Sequence, residues 1–121
     1  MLLLDTHIIL FALTGQLAPR EQKLLTGDPE WSIAAISLWE ISKLHQKKRL
    51  AMDFNHPEMI AFLNSLKIWP LTLKICQRMV KLDFESDPAD ELIAATSLVH
   101  SLPLVTRDEK IRRSRLLVFP I

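Results

Sequence analysis

The sequence predicts an α/β fold with a mainly parallel central sheet, and three observations carry that reading. Short, continuously apolar runs such as Leu2–Leu4 and Leu104–Val105 suit strands of a parallel sheet covered on both faces. Longer stretches between such runs place apolar residues at helical spacing. The two kinds alternate along the chain with Pro, Gly, Asp and Ser at the junctions, and no repeat or low-complexity tract interrupts them.

Taken in order, Leu2–Leu4 is a central strand and Thr6–Leu13 a helix that stops at Gly15. Pro19 opens a second helix to about Thr26, closed by Gly27-Asp28-Pro29. Trp31–Ile36 reads as a buried strand, and Ser37 starts a helix that continues to about Lys48. Pro57 opens a helix to about Leu66, with a short strand at Ile68–Pro70. Leu73–Phe84 carries Ile75, Met79, Val80 and Leu82 at helical spacing. Asp87-Pro88 begins a further helix with Leu92, Ile93, Ala95, Thr96 and Val99 on its inner face. Leu104–Val105 is a strand, Asp108–Arg113 a short helix, and Leu117–Phe119 a last strand.

A chain of 121 residues suits a single domain over 1–121, and its 49% apolar content is enough for a core without disulfides. The lone Cys76 has no partner for an intrachain bridge or a zinc site, which fits a reducing cytoplasm. Asp5 breaks the apolar N-terminus well short of the roughly 20 residues that span a bilayer, so no membrane partner is expected. The net charge of +1 gives no global field for nucleic acid. Basic residues do gather in two groups, Lys43, Lys47, Lys48 and Arg49, then Arg107, Lys110, Arg112, Arg113 and Arg115. These are solvated helix faces or local phosphate contacts.

In an open parallel sheet, sites form beyond the carboxyl ends of the strands. Asp5 directly follows the first strand, and Asp108 follows Leu104–Val105 closely. Asp90 falls in the first turn of its helix, where the macrodipole favours an anion. Glu40 lies one turn into the helix after Trp31–Ile36, between Trp39 and Ile41. Each acid has a purely structural reading. Ser37 and Glu40 have capping-box spacing, as do Thr106 and Glu109; Asp87 suits an N-cap, and Asp5 can cap the first helix.

Capping is local, however, and does not require four acids at corresponding ends of separate elements. Carboxylates drawn together repel and hold their protons more tightly unless a divalent cation neutralises them. All-oxygen ligands favour Mg²⁺ or Mn²⁺ over zinc. His7 reads as a first-turn residue beside this site or a packed histidine. Trp31, Trp39 and Trp69 lie among apolar residues and read as core.

Four blocks resemble, in order, those of PIN domains, and more narrowly the VapC-type ribonuclease toxins of type II toxin–antitoxin pairs. They are Leu3-Leu4-Asp5-Thr6-His7, Ser37-Leu38-Trp39-Glu40-Ile41, Asp87-Pro88-Ala89-Asp90 with Ile93-Ala94-Ala95-Thr96, and Leu102 through Asp108. The resemblance implies a three-layer α/β/α fold and a Mg²⁺- or Mn²⁺-dependent endoribonuclease. It maps the catalytic, metal-holding acids onto Asp5, Glu40, Asp90 and Asp108, with Thr6, Asp87 and Thr106 in supporting places. It further implies an RNA substrate, a cognate antitoxin that blocks the acidic groove, and a homodimer, for which Ile8–Leu13 or Pro57–Leu66 could furnish the interface. The chain departs from the pattern at Glu85, Ala89 and Glu91, where many relatives carry His, an aromatic and Arg.

Two other readings compete. A catalytically inactive PIN-like protein-binding module would keep the acids as caps and be indifferent to metal. A receiver-like phosphoryl-transfer domain needs a Lys after a late strand, where this chain has Arg107.

Overall fold

The computed structural model describes residues 1–28 and 30–121; Pro29, the last residue of the expected Gly27-Asp28-Pro29 closure, lies outside the described residues. The elements are β1 (Leu2–Leu4), α1 (Thr6–Leu13), α2 (Pro19–Gly27), β2 (Trp31–Ala34), α3 (Ala35–Gln46), α4 (Pro57–Ser65), β3 (Lys67–Trp69), α5 (Leu73–Met79), α6 (Pro88–His100), β4 (Leu104–Val105) and α7 (Glu109–Arg112). The four strands form one parallel sheet in the order β3-β2-β1-β4. From β1 the chain moves outward through β2 to β3, then returns to the other side of β1 as β4. The connectivity therefore reverses between β1 and β4, where α/β sheets open a crevice.

Strand alternation sorts the core into two layers. Leu2, Leu4, Ile33 and Val105 pack with Ile8, Ile9, Leu25, Ile41, Met59 and Leu63 on one side. Leu3, Ala34 and Leu104 pack with Ile93, Ala94, Ile111 and Leu117 on the other. Helices thus cover both faces, giving the three-layer α/β/α arrangement. Near-complete burial of all three β1 residues explains why that strand shows no polar alternation.

Several boundaries differ from the sequence expectation, each for a local reason. The apolar run to Ile36 divides between β2 and α3, because a short apolar run has no period to decide it. Helix α3 therefore starts at Ala35 with Ala34 at its N-cap, and Ser37 is a fully buried residue inside the helix rather than half of a capping box. Helix α5 ends at Met79 instead of Phe84. The Lys81 and Leu82 amides close onto carbonyls three residues back, leaving Val80 75% exposed. Asp83 is drawn off to the C-terminal segment, accepting from Ser114 Oγ at 2.7 Å and the Arg115 amide at 2.8 Å.

The expected last strand, Leu117–Phe119, is not one. A single bond from the Leu104 amide to the Val118 carbonyl ties it to the sheet edge, and Pro120 offers no further N–H. Trp39 departs from its core assignment. It is 52% exposed with Lys43 Nζ 5.8 Å from its ring, whereas Trp31 is half-buried and donates to the Leu25 and Asp28 carbonyls. Trp69 stacks on His100 at 4.0 Å.

Candidate active site

Asp5 stands at the crevice between β1 and β4. Its amide donates to the Val105 carbonyl, so the sheet ladder itself fixes its backbone beside β4. The side chain caps α1, with Oδ1 accepting from the Thr6 amide at 2.8 Å. The same carboxylate accepts from Thr106 Oγ1 at 2.6 Å, through Oδ2. Asp5 and Thr106 are each 5% exposed. Burial pushes the Asp5 carboxyl above its usual range against the pull of these donors, and nearby Asp108 adds to the rise.

The second acid is held by the residue after Asp5. Thr6 Oγ1 donates to Glu40 Oε1 at 2.5 Å and lies 2.9 Å from Ser37 Oγ. A carboxylate only accepts and Thr6 has one hydroxyl hydrogen, so Ser37 donates to Thr6 and Thr6 to Glu40. Ser37 and Glu40 are three apart in α3 and share the face turned to α1. Glu40 is half-buried; desolvation raises its carboxyl, with Asp5 and Asp87 contributing as like charges.

Asp87 and Pro88 open α6 as the sequence reading expected. Asp87 is the N-cap, its Oδ1 accepting from the Asp90 amide at 3.0 Å. Asp90 Oδ2 accepts from Ser86 Oγ at 2.8 Å. Burial pushes the Asp90 carboxyl up from 3.8 to about 6, and Asp87, Asp5 and Asp108 all act on it as like charges. The acids at the starts of α1, α6 and α7 therefore act on one another as like charges.

Asp108 has a different local role from the expected first-turn charge. It is the N-cap of α7, accepting from the Ile111 amide at 3.0 Å, while its own amide donates to Thr106 Oγ1 at 3.0 Å. Thr106 therefore does not cap α7 with Glu109; its hydroxyl accepts from the Asp108 amide and donates to Asp5. His7 is exposed in the first turn of α1 and is not packed in the core.

Among the described residues, no three acidic, His or Cys side chains stand close enough together to hold an ion as they lie. The hydrogen bonds explain this: Asp5, Glu40 and Asp90 are each turned onto a hydroxyl, and Asp108 onto a helix amide. The donor set is nonetheless all oxygen and mutually repulsive, which suits a hard divalent cation that keeps part of its water shell. Sequence reading missed Ser37 and Ser86 as the hydroxyls behind Glu40 and Asp90. Ser86, four residues before Asp90, was legible as a donor at a helix start; the burial of Ser37 depended on where α3 begins.

The sequence matches the family model described as PIN domain over residues 2–115. It is 29% identical to a Mycobacterium tuberculosis protein named Ribonuclease VapC22, over 93% of this chain and 91% of that one. Among solved structures, a toxin–antitoxin complex from Klebsiella pneumoniae superposes with a TM-score of 0.74 at 21% identity, over 100% of this chain and 98% of that chain. VapBC2 from Rickettsia felis, bound to a promoter DNA fragment, gives 0.74 at 23% identity, over 97% and 95%. At such identities the two structures bear on the fold.

Proposed function

The chain belongs to the PIN domain family, and from that premise we propose that it is a metal-dependent endoribonuclease, the toxin of a toxin–antitoxin pair. The observation that supports this reading is the gathering of acids from four separate elements at the β1–β4 crevice. Asp87, Asp5 and Asp108 all bear on Asp90, and Asp5 and Asp87 on Glu40. Acids that served only as helix caps or solvated charges would have no reason to share one field.

Asp5, Glu40, Asp90 and Asp108 would hold Mg²⁺ or Mn²⁺, partly through water, within one nuclease domain over residues 1–121. A bound divalent ion supplies the charge neutralisation and water activation that phosphodiester hydrolysis needs. The protein supplies orientation. Thr106 fixes Asp5, Thr6 fixes Glu40, and Asp87 sets the first turn that carries Asp90. A hydroxyl that holds one oxygen of a carboxylate fixes where the group sits, and binding an ion would draw the remaining oxygens together. The exposed cations of α3 and its following loop, Lys43, Lys47, Lys48 and Arg49, suit phosphate contact.

The similar structures are toxin–antitoxin complexes, and by analogy this chain pairs with an antitoxin that covers the crevice and with a second copy of itself in the cytoplasm. Of the two segments expected at an interface, Ile8–Leu13 gives Ile8 and Ile9 to the core, while Pro57–Leu66 leaves Ile60 46% exposed. No helix among the described residues is long and apolar enough to cross a membrane.

The test is cleavage of end-labelled tRNA, ribosomal RNA and an unstructured RNA by the antitoxin-free protein in Mg²⁺ or Mn²⁺. Discrete cuts that vanish in chelator and in Asp90→Asn support the nuclease. Absence of cleavage by folded, metal-supplied protein favours the inactive binding module.

A further inference from the structure

Arg107 lies between Thr106, which holds Asp5, and Asp108, which heads α7. Its place in a basic group suggested a phosphate contact. The guanidinium instead reaches back across the molecule. Nε donates to Glu21 Oε2 at 2.8 Å and Nη2 to Glu21 Oε1 at 2.6 Å, a bidentate fork. Nη2 also donates to the Gln16 carbonyl at 3.0 Å, and the group sits 4.1 Å from the centre of the Phe11 ring.

Glu21 is built to receive it. The residue is 6% exposed, in the first turn of α2, and Oε1 also accepts from the Ala18 amide at 2.7 Å. A carboxylate this buried is costly without a partner. Arg107 is that partner. The contacts join four pieces of chain: Phe11 in α1, Gln16 in the turn after it, Glu21 in α2, and the loop between β4 and α7.

We propose that Arg107 and Glu21 are positioning residues that pin the β4–α7 loop against α1 and α2, and so set Thr106 on Asp5 and Asp108 at the head of α7. The consequence for RNA cleavage rests on the nuclease reading; the consequence for loop order does not. Asp5 belongs to the start of α1 and Thr106 to the loop, so their hydrogen bond spans the loop and the helix on which the Arg107 guanidinium lies through Phe11. Arg suits this place where Lys does not, since only a planar fork meets both carboxylate oxygens while lying on an aromatic face.

The experiment compares Arg107→Met, which keeps an apolar stem over Phe11, with Glu21→Gln and the double variant. Amide hydrogen exchange is followed at Asp108 and Ile111, whose N–H groups bond Thr106 and Asp108, with the Ile93 amide in the core as reference. Exchange at the loop amides should quicken by roughly tenfold over that reference. The Mn²⁺ dissociation constant, measured without RNA, should weaken several-fold and kcat should fall by about tenfold, as for groups supporting metal ligands. KM should stay within about twofold, since no substrate contact is lost. The double variant should be no worse than the worse single, because both remove one unit.

Loop exchange at the wild-type rate in both single variants overturns the proposal. So does a lowered melting temperature with kcat, Mn²⁺ affinity and loop exchange unchanged. A raised KM and shallower salt dependence in Arg107→Met, with Glu21→Gln silent, assigns Arg107 to phosphate instead. Should the wild type cleave no RNA, the nuclease reading falls and the exchange data still judge the clamp.

Discussion

Thr106 and Asp5 stand 101 residues apart in the chain, and the Thr106 hydroxyl donates to Asp5 Oδ2 at 2.6 Å. The bond joins the carboxyl ends of two neighbouring parallel strands at the point where the chain reverses its order through the sheet. It therefore belongs to the topology rather than to any local motif. Replacing the hydroxyl by a methyl leaves the shape of Thr106 intact and removes one of the two donors on a buried carboxylate.

Thr106→Val should therefore lower RNA cleavage by about 10- to 100-fold, the cost typical of losing the group that orients a metal ligand. Thr106→Ser should recover most of it. Single-turnover cleavage rates of the two variants check this, with circular dichroism to verify the fold. Equal loss in both would show that the hydroxyl is not what matters.

The repulsion among the acids has a pH signature in metal-free protein. The Asp90 carboxyl lies near 3.8 in the unfolded chain and is pushed up to about 6 in the fold. The folded state then binds more protons than the unfolded state between these values, so this group costs stability as pH rises through the window and most above it. Asp90→Asn in chelator should melt above the wild type at pH 7.5 and at the same temperature near pH 3.5. Mn²⁺ should raise the wild-type melting temperature more at pH 7.5 than at pH 5. Thermal melts across pH decide both; an Asn variant less stable at pH 7.5 would argue against the like-charge cluster.

Much of this was legible in the sequence, because the strands are short and apolar and Asp5 directly follows the first of them. The β1–Asp5–α1 unit, the Asp87-Pro88 helix start and the parallel sheet all follow from local chemistry. Three things did not. The start of α3 was hidden inside the apolar run from Ile33 to Ile36, which fits strand and helix alike. The end of α5 was set by Asp83, whose partners Ser114 and Arg115 come from far along the chain. Arg107 looked like part of a solvated basic group because nothing in its neighbourhood names Glu21 as its partner.

Trp39 and Ile41 test that distinction by mutation. Both sit in an apolar stretch, yet Trp39 is 52% exposed and Ile41 is 0% exposed. Ile41→Ala should cost about 2–5 kcal/mol, as a cavity in a packed core does. Trp39→Ala should cost about 1 kcal/mol or less despite the larger side chain removed, since half of it is already in water. Urea denaturation of the two variants measures the contrast, and similar losses would return Trp39 to the core.

The Arg107–Glu21 pair makes the opposite pH prediction to the acidic crevice. The Arg107 fork holds the Glu21 carboxyl below its ordinary 4.5, despite the burial that opposes it. An acid with a depressed folded value contributes stability that is fully present above 4.5 and is lost as pH falls through the depressed value. Glu21→Gln should therefore be less stable than the wild type at pH 7 by about 1–3 kcal/mol, the range for hydrogen bonds to charged groups. Arg107 is 42% exposed through its side chain, so solvent screening pulls this toward the low end. The difference should shrink as pH falls from 4.5 through the depressed value, where protonation gives the wild type the same neutral side chain. Denaturant titrations at pH 7 and pH 3 measure it. A gap that persists undiminished at pH 3 would mean that Glu21 contributes by packing, and that the charge on Arg107 is not what holds the β4–α7 loop.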